Sequence, residues 1–307
     1  MSKYQPTNRL TDKRVKKVIV FDTETAPYYE DVQEYLVKGV KEEPKAWQYT
    51  PNTLEQYEYK GHTYYKYLTT KKQRQLIFDI GWTVADKRGN IFIKRNYLVR
   101  EVFINTDMMK HAHYFNKYPQ YLDMLQDGKI KMRAWSYIIA KFEQDILDYG
   151  VHECFAFNIS FDKRAMEETH RVLTGRKFLF WKAQELRANC LWGMSAETIM
   201  SKRGYIETAI EQGWLSSSGN ITTNAECAYR YITGIYEFQE SHTALDDAVI
   251  ETEIMSRCFK TRMKMSFGII EQPWKLVKAK AEALGLLQNE SEEEEVNKII
   301  ARYSRAH

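Results

Sequence analysis

Four segments of the chain carry the apolar patterns of β-strands. Residues 16–22 (KKVIVFD) form a continuous apolar run that ends in an acid, which predicts a buried central strand. Residues 75–84 and 90–99 flank the turn-like sequence DKRGN, so we expect them to pair as a hairpin. Residues 153–158 (ECFAFN) predict a further short buried strand.

Helical patterns fill most of the remaining chain. Residues 106–149 are predicted to be helical, most clearly over MRAWSYIIAKFEQDILDYG, and a second helix follows the strand at 153–158 through SFDKRAMEETHRVL. Further helices are predicted over about 195–212, about 223–233 and about Thr243–Phe259. Strands that alternate with helices, together with one early hairpin, indicate an α/β fold with a mixed sheet.

The composition is that of a soluble globular protein. Of 307 residues, 44% are hydrophobic and 28% are charged, which excludes a disordered tail protein and a collagen-like fibre. No apolar run approaches the roughly 18 residues of a membrane-spanning helix, and the first seventeen residues lack the apolar stretch of a secretory signal. The four cysteines form no C-x-x-C pair, so we expect free thiols in a reducing cytoplasm: Cys154, Cys190, Cys227 and Cys258.

The net charge of +4 decides little, but its distribution is uneven. Residues 60–75 contain five basic side chains and no acidic one, and residues 259–281 contain six basic side chains and one acidic one. Such segments suit a polyanionic ligand, although a basic cluster is more often only a solvated face. Both interpretations stay open at this point.

The first unusual placement of acids is at the end of the predicted first strand, in Phe21-Asp22-Thr23-Glu24-Thr25. Side chains at i and i+2 of a strand face the same side, so Asp22 and Glu24 point together. Two adjacent carboxylates repel each other and are costly near a core unless a cation holds them. By itself the pair could equally be two solvated acids at a strand end.

Two later segments also combine polar and acidic residues near a helix start. Asn158 ends a predicted buried strand, and Asp162 follows in the first helical turn, where the helix dipole alone would favour an acid. His242 precedes Asp246 and Asp247 at the start of the last core helix. A histidine about one turn before an acid can place a proton acceptor beside a metal, although a capping role is also possible.

Taken in order, the three segments FDTET, NISFD and HTALDD resemble the motifs of the DEDDh family of 3′→5′ exonucleases, the DnaQ-like proofreading nucleases. The resemblance covers about residues 15–260 and implies an RNase H-like mixed central sheet flanked by helices. IFDIGWTV also resembles the family's second strand, which lies antiparallel beside the first. About fifty residues (26–75) separate the two strands here, so we expect a large insert, similar to elaborated phage-encoded members.

The resemblance implies two Mg²⁺ or Mn²⁺ ions and assigns metal ligation to four acids: Asp22, Glu24, Asp162 and Asp247. It makes His242 the general base and leaves Asp246 without a catalytic role. The implied reaction releases nucleoside 5′-monophosphates from a nucleic acid with a free 3′ end, with single-stranded DNA favoured as substrate. Within the motifs, we expect Thr23, Asn158 and Phe161 to contact the substrate.

The insert itself is rich in tyrosine. YEYKGHTYYKY places aromatic and basic side chains around an expected turn at Lys60-Gly61, and Tyr57 and Tyr59 share one face by the strand period. Aromatic rings beside cations bind single strands, so Tyr57, Tyr59, Tyr64 and Lys66 are candidate substrate contacts. Packing of the tyrosines against the core is an equally good explanation.

These inferences divide the chain into a basic arm (1–15), an exonuclease domain (16–260) with its insert, and a C-terminal helical extension (261–307). An RNA-directed exonuclease of the same family and a non-catalytic nucleic-acid-binding module are the alternatives. A haloacid-dehalogenase-type phosphatase fits less well, because its D-x-D strand end requires an aspartate two residues after the nucleophile, where this chain has Glu24. We expect no membrane association and a cytoplasmic location, in the host cytoplasm if the protein is phage-encoded; protein partners are not predicted.

Overall fold

The computed structural model describes residues 16–269 and 271–287. The basic arm predicted over residues 1–15 and the last twenty residues of the predicted C-terminal extension therefore lie outside the described residues. Among the described residues, no helix is long and apolar enough to cross a membrane.

The described residues form one seven-stranded mixed sheet with the strand order β5-β4-β3-β1-β6-β7, in which β2 pairs with the outer part of β3. The strands are β1 (Lys17–Val40), β2 (Glu55–Tyr59), β3 (His62–Asp86), β4 (Ile91–Val99), β5 (Lys131–Arg133), β6 (Glu153–Ala156) and β7 (Arg187–Cys190). β1 runs antiparallel to β3 and parallel to β6. The α/β class, the mixed sheet and the β3–β4 hairpin are as the sequence predicts.

Helices cover both faces of this sheet. They are α1 (Arg100–Phe103), α2 (Thr106–Met109), α3 (Tyr118–Gln126), α4 (Trp135–Tyr149), α5 (Ile159–Thr174), α6 (Phe180–Ala183), α7 (Leu191–Ser195), α8 (Arg203–Glu211), α9 (Ala225–Thr233), α10 (Ala244–Lys260) and α11 (Trp274–Ala283), with 3-10 turns at Ala46–Gln48 and Phe115–Lys117 and a π-helical turn at Ala196–Met200. The segments predicted as continuous helix over 106–149 and 195–212 are each divided, and β5 and β7 were missed. Short strands such as KMR and RANC carry too few residues to show a period and depend on pairing with β4 and β6.

The apolar run of β1 separates two cores. Ile19 and Phe21 are fully buried in the cluster that includes residues of α4 and α5. Val18 and Val20 are fully buried in the other cluster, which includes residues of α8, α9 and α10. Because successive side chains of a strand point to opposite faces, a continuous apolar run is what a strand covered on both sides requires.

The insert predicted over residues 26–75 is mostly a continuation of the sheet. β1 and β3 remain paired from Lys17↔Asp86 out to Val40↔Tyr65, with register shifts that bend the ladder. The chain turns at Lys60 and Gly61, both with positive φ (50° and 73°), as the sequence predicts. We call this extension, residues 27–75, the hairpin arm.

An ion-pair network fastens the base of the hairpin arm to α5. Arg171 donates from both terminal nitrogens to the Glu30 carboxylate at 2.8 and 3.1 Å, and Arg74 Nε donates to the same carboxylate at 2.9 Å. Arg74 also pairs with Glu168 at 3.3 Å. The two arginines lower the pKa of Glu30 from 4.5 to about 2, mainly through these hydrogen bonds. The arm is thus fixed to the helix whose first turn carries Asp162.

The described part of the C-terminal extension packs on the domain. Val277 and Ala281 of α11 are fully buried in the second core. The chain leading to α11 is also held, because Cys190 donates its backbone N–H to Gly268 and Ser266 hydrogen-bonds the Glu197 carboxylate. These contacts join α11 to the same core as α8 and α10.

Candidate active site

The three acidic segments meet at one edge of the sheet. Asp22 and Glu24 lie on β1, Asp162 lies in the first turn of α5, and Asp247 lies in the first turn of α10. β6 is parallel to β1, so the helix that follows β6 begins beside the end of the buried part of β1. α10 covers the opposite face of the sheet, and its N-terminal turn therefore arrives at the same place.

The tightest group of possible ligands within residues 16–269 and 271–287 is Glu24, His242 and Asp247, whose donor atoms lie within 4.8 Å of one another. Asp162 is tied to β1 by a different contact, since Thr23 Oγ1 donates to its Oδ1 at 2.8 Å. The structure therefore brings the five predicted catalytic residues to one site. It does not place the four predicted metal ligands in one compact donor set, and ligation by Asp22 and Asp162 stays a prediction.

The carboxylates at this edge are strongly perturbed. Burial, followed by the charges of Asp162 and other neighbouring acids, raises the pKa of Asp22 well above its ordinary value. Burial also raises the pKa of Glu24 to about 9, of Asp247 to about 8 and of Asp162 to about 7. Without added positive charge, several of these groups hold protons near neutral pH.

The donor atoms suit a hard divalent cation. Asp247 Oδ1 and Glu251 Oε2 are buried and have no hydrogen-bond partner among the residues that the structure describes. Buried acceptors without partners are rare in proteins, and carboxylate oxygens are the ligands that Mg²⁺ and Mn²⁺ prefer. The raised pKa values also indicate a cation site, because a bound cation would stabilise the charged form of these carboxylates.

Sequence reasoning missed three further acids. Glu251 lies four residues after Asp247 on the same face of α10, and burial raises its pKa well above its ordinary value. Burial also raises the pKa of Asp79 and of Glu240 to about 7. Two sequence signals were available. Glu251 follows Asp247 at the i, i+4 spacing of one helix face, and Asp79 is an acid inside the apolar run LIFDIG.

Asp79 fixes the start of α10. Its Oδ2 accepts hydrogen bonds from the backbone N–H of Ala244 at 3.0 Å and from the Tyr121 hydroxyl at 2.9 Å. Two residues along β3, Gly81 allows the backbone of Ala244 and Leu245 to approach so closely that a Cβ at Gly81 would lie 2.2–2.4 Å from it. β3 thus sets the position of the helix that carries Asp247.

His242 is held in a strained and stacked conformation. Its φ of 48° is in the left-handed region, and its ring stacks on Tyr114 with a centroid distance of 4.4 Å and an interplanar angle of 14°. Nδ1 lies 3.7 Å from Glu240 Oε2. Burial, and then the charge of Lys117, lowers the pKa of His242, which favours the neutral imidazole.

Lys117 is a cation beside this site. Its Nζ lies 5.0 Å from the centroid of the Tyr114 ring and donates to the backbone oxygen of Ser241. Its charge opposes the upward pKa shifts of Glu24 and Asp247. Tyr114 and Lys117 come from the loop between α2 and α3, which carries no motif in the sequence, so only the fold reveals them.

Comparison with known proteins does not assign a family. No protein-family model matches the chain, and no curated protein matches it in sequence. Among solved structures, the crystal structure of cell-death related nuclease 4 (CRN-4) is similar with a TM-score of 0.40 and 10% identity, over 82% of this chain and 67% of that chain. This likeness is too distant to carry an argument about the site.

The predicted substrate contacts within the motifs differ in their accessibility. Thr23 is buried and its hydroxyl is used by Asp162, so it has a structural role in the site. Asn158 is exposed at the N-cap of α5, and its side chain makes no capping hydrogen bond. Phe161 is partly buried in the first turn of α5, with the Arg164 guanidinium 6.0 Å from its ring centroid.

The four candidate contacts on the hairpin arm are not brought to the acids. Val40, which pairs with Tyr65, lies sixteen residues beyond Glu24, on the order of 50 Å of extended strand. Tyr64 contacts Tyr57 at 5.8 Å and Tyr59 at 6.2 Å between ring centroids. The tyrosines therefore pack on one another. They neither lie beside the acids, as substrate contacts would, nor pack against the core.

The basic character of residues 60–75 is largely neutralised. Acidic side chains pair with three of the five cations: Lys66 with Glu55, Lys71 with Asp31, and Arg74 with Glu30 and Glu168. Antiparallel pairing with β1 and β2 brings Glu30, Asp31 and Glu55 to the cations, and α5 supplies Glu168, which the charge count of the segment alone does not show. This finding weakens the expectation that the hairpin arm binds a polyanion.

Proposed function

We propose that this protein is a metal-dependent 3′→5′ exonuclease of the DEDDh type, acting on a nucleic acid strand with a free 3′ end, and that residues 16–260 form its catalytic domain. The observation that carries the proposal is the convergence of all three motif segments on one edge of the sheet. The strand order β4-β3-β1-β6-β7, with β3 antiparallel to the other four, supports an RNase H-like fold.

Asp22, Glu24, Asp162 and Asp247 would hold the two Mg²⁺ or Mn²⁺ ions. Glu251, buried beside Asp247 with one oxygen unpartnered among the described residues, is a further candidate for this shell. When bound, such ions neutralise phosphate charge and lower the pKa of water. The perturbed pKa values of the acids are consistent with that role.

His242 is the proposed general base. Glu240 lies near Nδ1, which leaves Nε2 as the atom that accepts a proton from the attacking water. The water oxygen forms a bond to phosphorus, the bond from phosphorus to the 3′ oxygen of the preceding nucleotide breaks, and that oxygen gains a proton. The products are a nucleoside 5′-monophosphate and a strand shortened by one nucleotide with a new 3′ hydroxyl.

The chain's own residues prepare this step. Tyr114 stacks on the imidazole and restricts its rotation. Thr23 holds Asp162, and Asp79 holds the first turn of α10 through Ala244. Positioned groups of this kind lower the entropic cost of reaching the reactive geometry.

The test is a time course with single-stranded DNA, duplex DNA and RNA, each labelled at the 5′ end, in Mg²⁺, Mn²⁺ or EDTA. We expect a ladder of products that shorten from the 3′ end in the presence of metal, with single-stranded DNA cleaved fastest. Faster cleavage of RNA would establish the exoribonuclease alternative. Release of label as a mononucleotide at the start of the reaction would contradict the proposed polarity.

Asp162→Asn and Asp246→Asn form a matched pair for the site. Asp162→Asn should abolish hydrolysis. Asp246, whose Oδ2 accepts from Ser241 and Thr243, should tolerate the change, because asparagine keeps one acceptor oxygen for these hydrogen bonds. Retained activity in Asp162→Asn at saturating Mg²⁺ would show that the site is wrongly assigned.

A further inference from the structure

A cleft of about 540 Å³ opens beside the acid cluster, at the ends of β6 and β7. Its aromatic lining residues are Phe157, Trp192 and Trp274, and most of its polar lining residues, including Thr223 and Asn224, come from the segment that precedes α9. This size is in the range of small-molecule pockets. None of the motifs includes Trp192 or Trp274.

The backbone of Phe157 connects this cleft to the acid cluster. It lies close enough to Glu251 to oppose the upward pKa shift of that carboxyl group, and its carbonyl accepts from the N–H of Trp192 at 2.9 Å. Asn158, which also lines the cleft, is the N-cap of the helix that carries Asp162. A phosphate at the acids and a planar group in the cleft would therefore be neighbouring parts of one ligand.

The aromatic wall is held rigidly. The rings of Phe157 and Trp192 are stacked, with an interplanar angle of 20° and centroids 6.4 Å apart. Trp192 Nε1 donates to Thr223 Oγ1 at 3.0 Å, which fixes the orientation of the indole. A fixed aromatic surface binds a planar ring at a low cost in side-chain entropy.

The polar groups around the wall suit the edge of a base and not a phosphate. The described residues that line the cleft carry no formal charge, so phosphate has no cationic partner there. Asn158 makes no capping hydrogen bond, and Asn224 uses its Oδ1 to accept from the Cys227 N–H, which leaves its NH₂ group as a donor. Amides donate to and accept from the edges of unpaired bases.

We propose that this cleft, formed by Phe157, Asn158, Trp192, Asn224 and Trp274, is a nucleobase pocket that holds one base of the strand whose phosphate lies at the acid cluster. The proposal rests on the proposed exonuclease function and adds to it the means by which the strand is gripped. Stacking on Trp192 tolerates any base, whereas the amides give a preference among bases.

The test measures binding without hydrolysis. Short 5′-labelled single-stranded DNA is titrated by fluorescence anisotropy against the full chain carrying Asp162→Asn in Mg²⁺, with one abasic nucleotide moved stepwise from the 3′ end. We expect one position at which loss of the base weakens binding by roughly 10- to 100-fold, the usual effect of losing one stacked base. The same scan is repeated after Trp192→Ala, with Trp47→Ala as the control.

Trp47 is a suitable control because it is 46% exposed and does not line the cleft; its ring packs on Tyr29 of the hairpin arm and lies 6.3 Å from the His111 ring. In Trp192→Ala, binding of the intact strand should fall by about the same factor, and the abasic nucleotide should have no further effect. If Trp192→Ala does not fold, Asn158→Ala, at an exposed position, should change the preference among bases at that position.

Additive losses from the abasic nucleotide and Trp192→Ala, or no sensitive position at all in a strand that binds, would overturn the pocket. Neither result would affect the proposed function, which is tested separately by hydrolysis with the unmodified protein. Failure of the unmodified protein both to bind and to hydrolyse any of the oligonucleotides would overturn both proposals.

Discussion

Replacement of Gly81 by alanine should displace the helix that carries Asp247. Gly81 pairs with Asp22 across the ladder and lies beneath the start of α10. A Cβ at this position would lie 2.2 Å from Leu245 N and 2.4 Å from the carbonyl carbon of Ala244. Both atoms belong to the backbone, so no rotation of a side chain can relieve the overlap.

The size of the effect follows from these distances. Non-bonded carbon atoms are separated by about 3.5–4.0 Å, so the helix start must move by more than about 1 Å. Overpacking of a core costs about 1–3 kcal/mol, and we expect the upper end because the backbone must shift. For a domain of this size, that corresponds to a melting temperature lowered by roughly 5–10 °C. A displacement of about 1 Å at catalytic groups can cost about 10²-fold in rate.

The assay is thermal unfolding of the metal-free protein, followed by the initial rate of hydrolysis of single-stranded DNA in Mg²⁺. The matched control is Gly204→Ala in α8, where the added Cβ would meet the tip of the Tyr231 side chain, with the hydroxyl at 2.9 Å, and no backbone atom within 4 Å is among its near contacts. A side-chain tip can move, and alanine in a helix is favoured over glycine by about 0.5–1 kcal/mol. The control should therefore be at least as stable as the unmodified protein and equally active.

A Gly81→Ala protein with unchanged melting temperature and rate would refute the reasoning. It would mean that α10 does not rest on β3 at this point, and the position of Asp247 relative to Asp22 would then have another cause. A loss of stability with full activity would show that the effect on stability and the effect on the rate are independent, because the helix would then have relaxed without moving the acids.

Three other predictions concern electrostatics and stacking. Asp162→Asn should raise the melting temperature of the metal-free protein by a few degrees at pH 8 and by less at pH 5. Burial raises the folded pKa to about 7, above the ordinary 3.8, so the stability that the carboxyl contributes at low pH is lost as the pH rises through 7. An unchanged or lowered melting temperature at pH 8 would show that burying the charged carboxylate is not costly. Tyr114→Ala should lower turnover about tenfold with little change in KM. Tyr114→Phe keeps the ring that stacks on His242 and should keep most of the activity. Equal turnover in the two variants would show that stacking on His242 does not contribute to catalysis. Glu30→Gln should lower the free energy of unfolding by about 1–3 kcal/mol at pH 7, because pairing with Arg171 holds the pKa of Glu30 at about 2, below the ordinary 4.5. Urea unfolding at pH 7, 5 and 4 measures this effect. The difference in unfolding free energy between variant and unmodified protein should shrink as the pH falls from about 5 toward 2.

The sequence alone determined the elements with strong local patterns. The run VIVF (residues 18–21), apolar at every position, identifies a strand covered on both faces, and the helix at Ala244–Lys260 was predicted to within one residue at each end. The three motif segments led to the five predicted catalytic residues only when taken together, through their resemblance to the DEDDh exonucleases, because each segment alone is equally well explained by a solvated acid or a helix cap. Side-chain periodicity and local charge are properties of neighbouring residues, so they are visible without a fold.

The tertiary structure decided everything that depends on pairing over long distances. The hairpin arm shows this most clearly: residues 60–75 carry five cations in the sequence, yet strand pairing places Glu55, Asp31 and Glu30 against them. The same pairing carries Tyr57 and Tyr64 far along the strand from Glu24. Net charge and aromatic content are therefore poor guides to binding where a second strand supplies the opposite charges.

The surroundings of the site were likewise set by packing. Tyr114 reaches His242 from a loop more than a hundred residues earlier, and Asp79 holds α10 because β3 passes under its first turn. Trp192 meets Phe157, through a backbone hydrogen bond and ring stacking, because each follows one of the paired strands β6 and β7. Such contacts join residues that are distant in the chain. No local pattern encodes them, because the pairing of the strands is what brings these residues together.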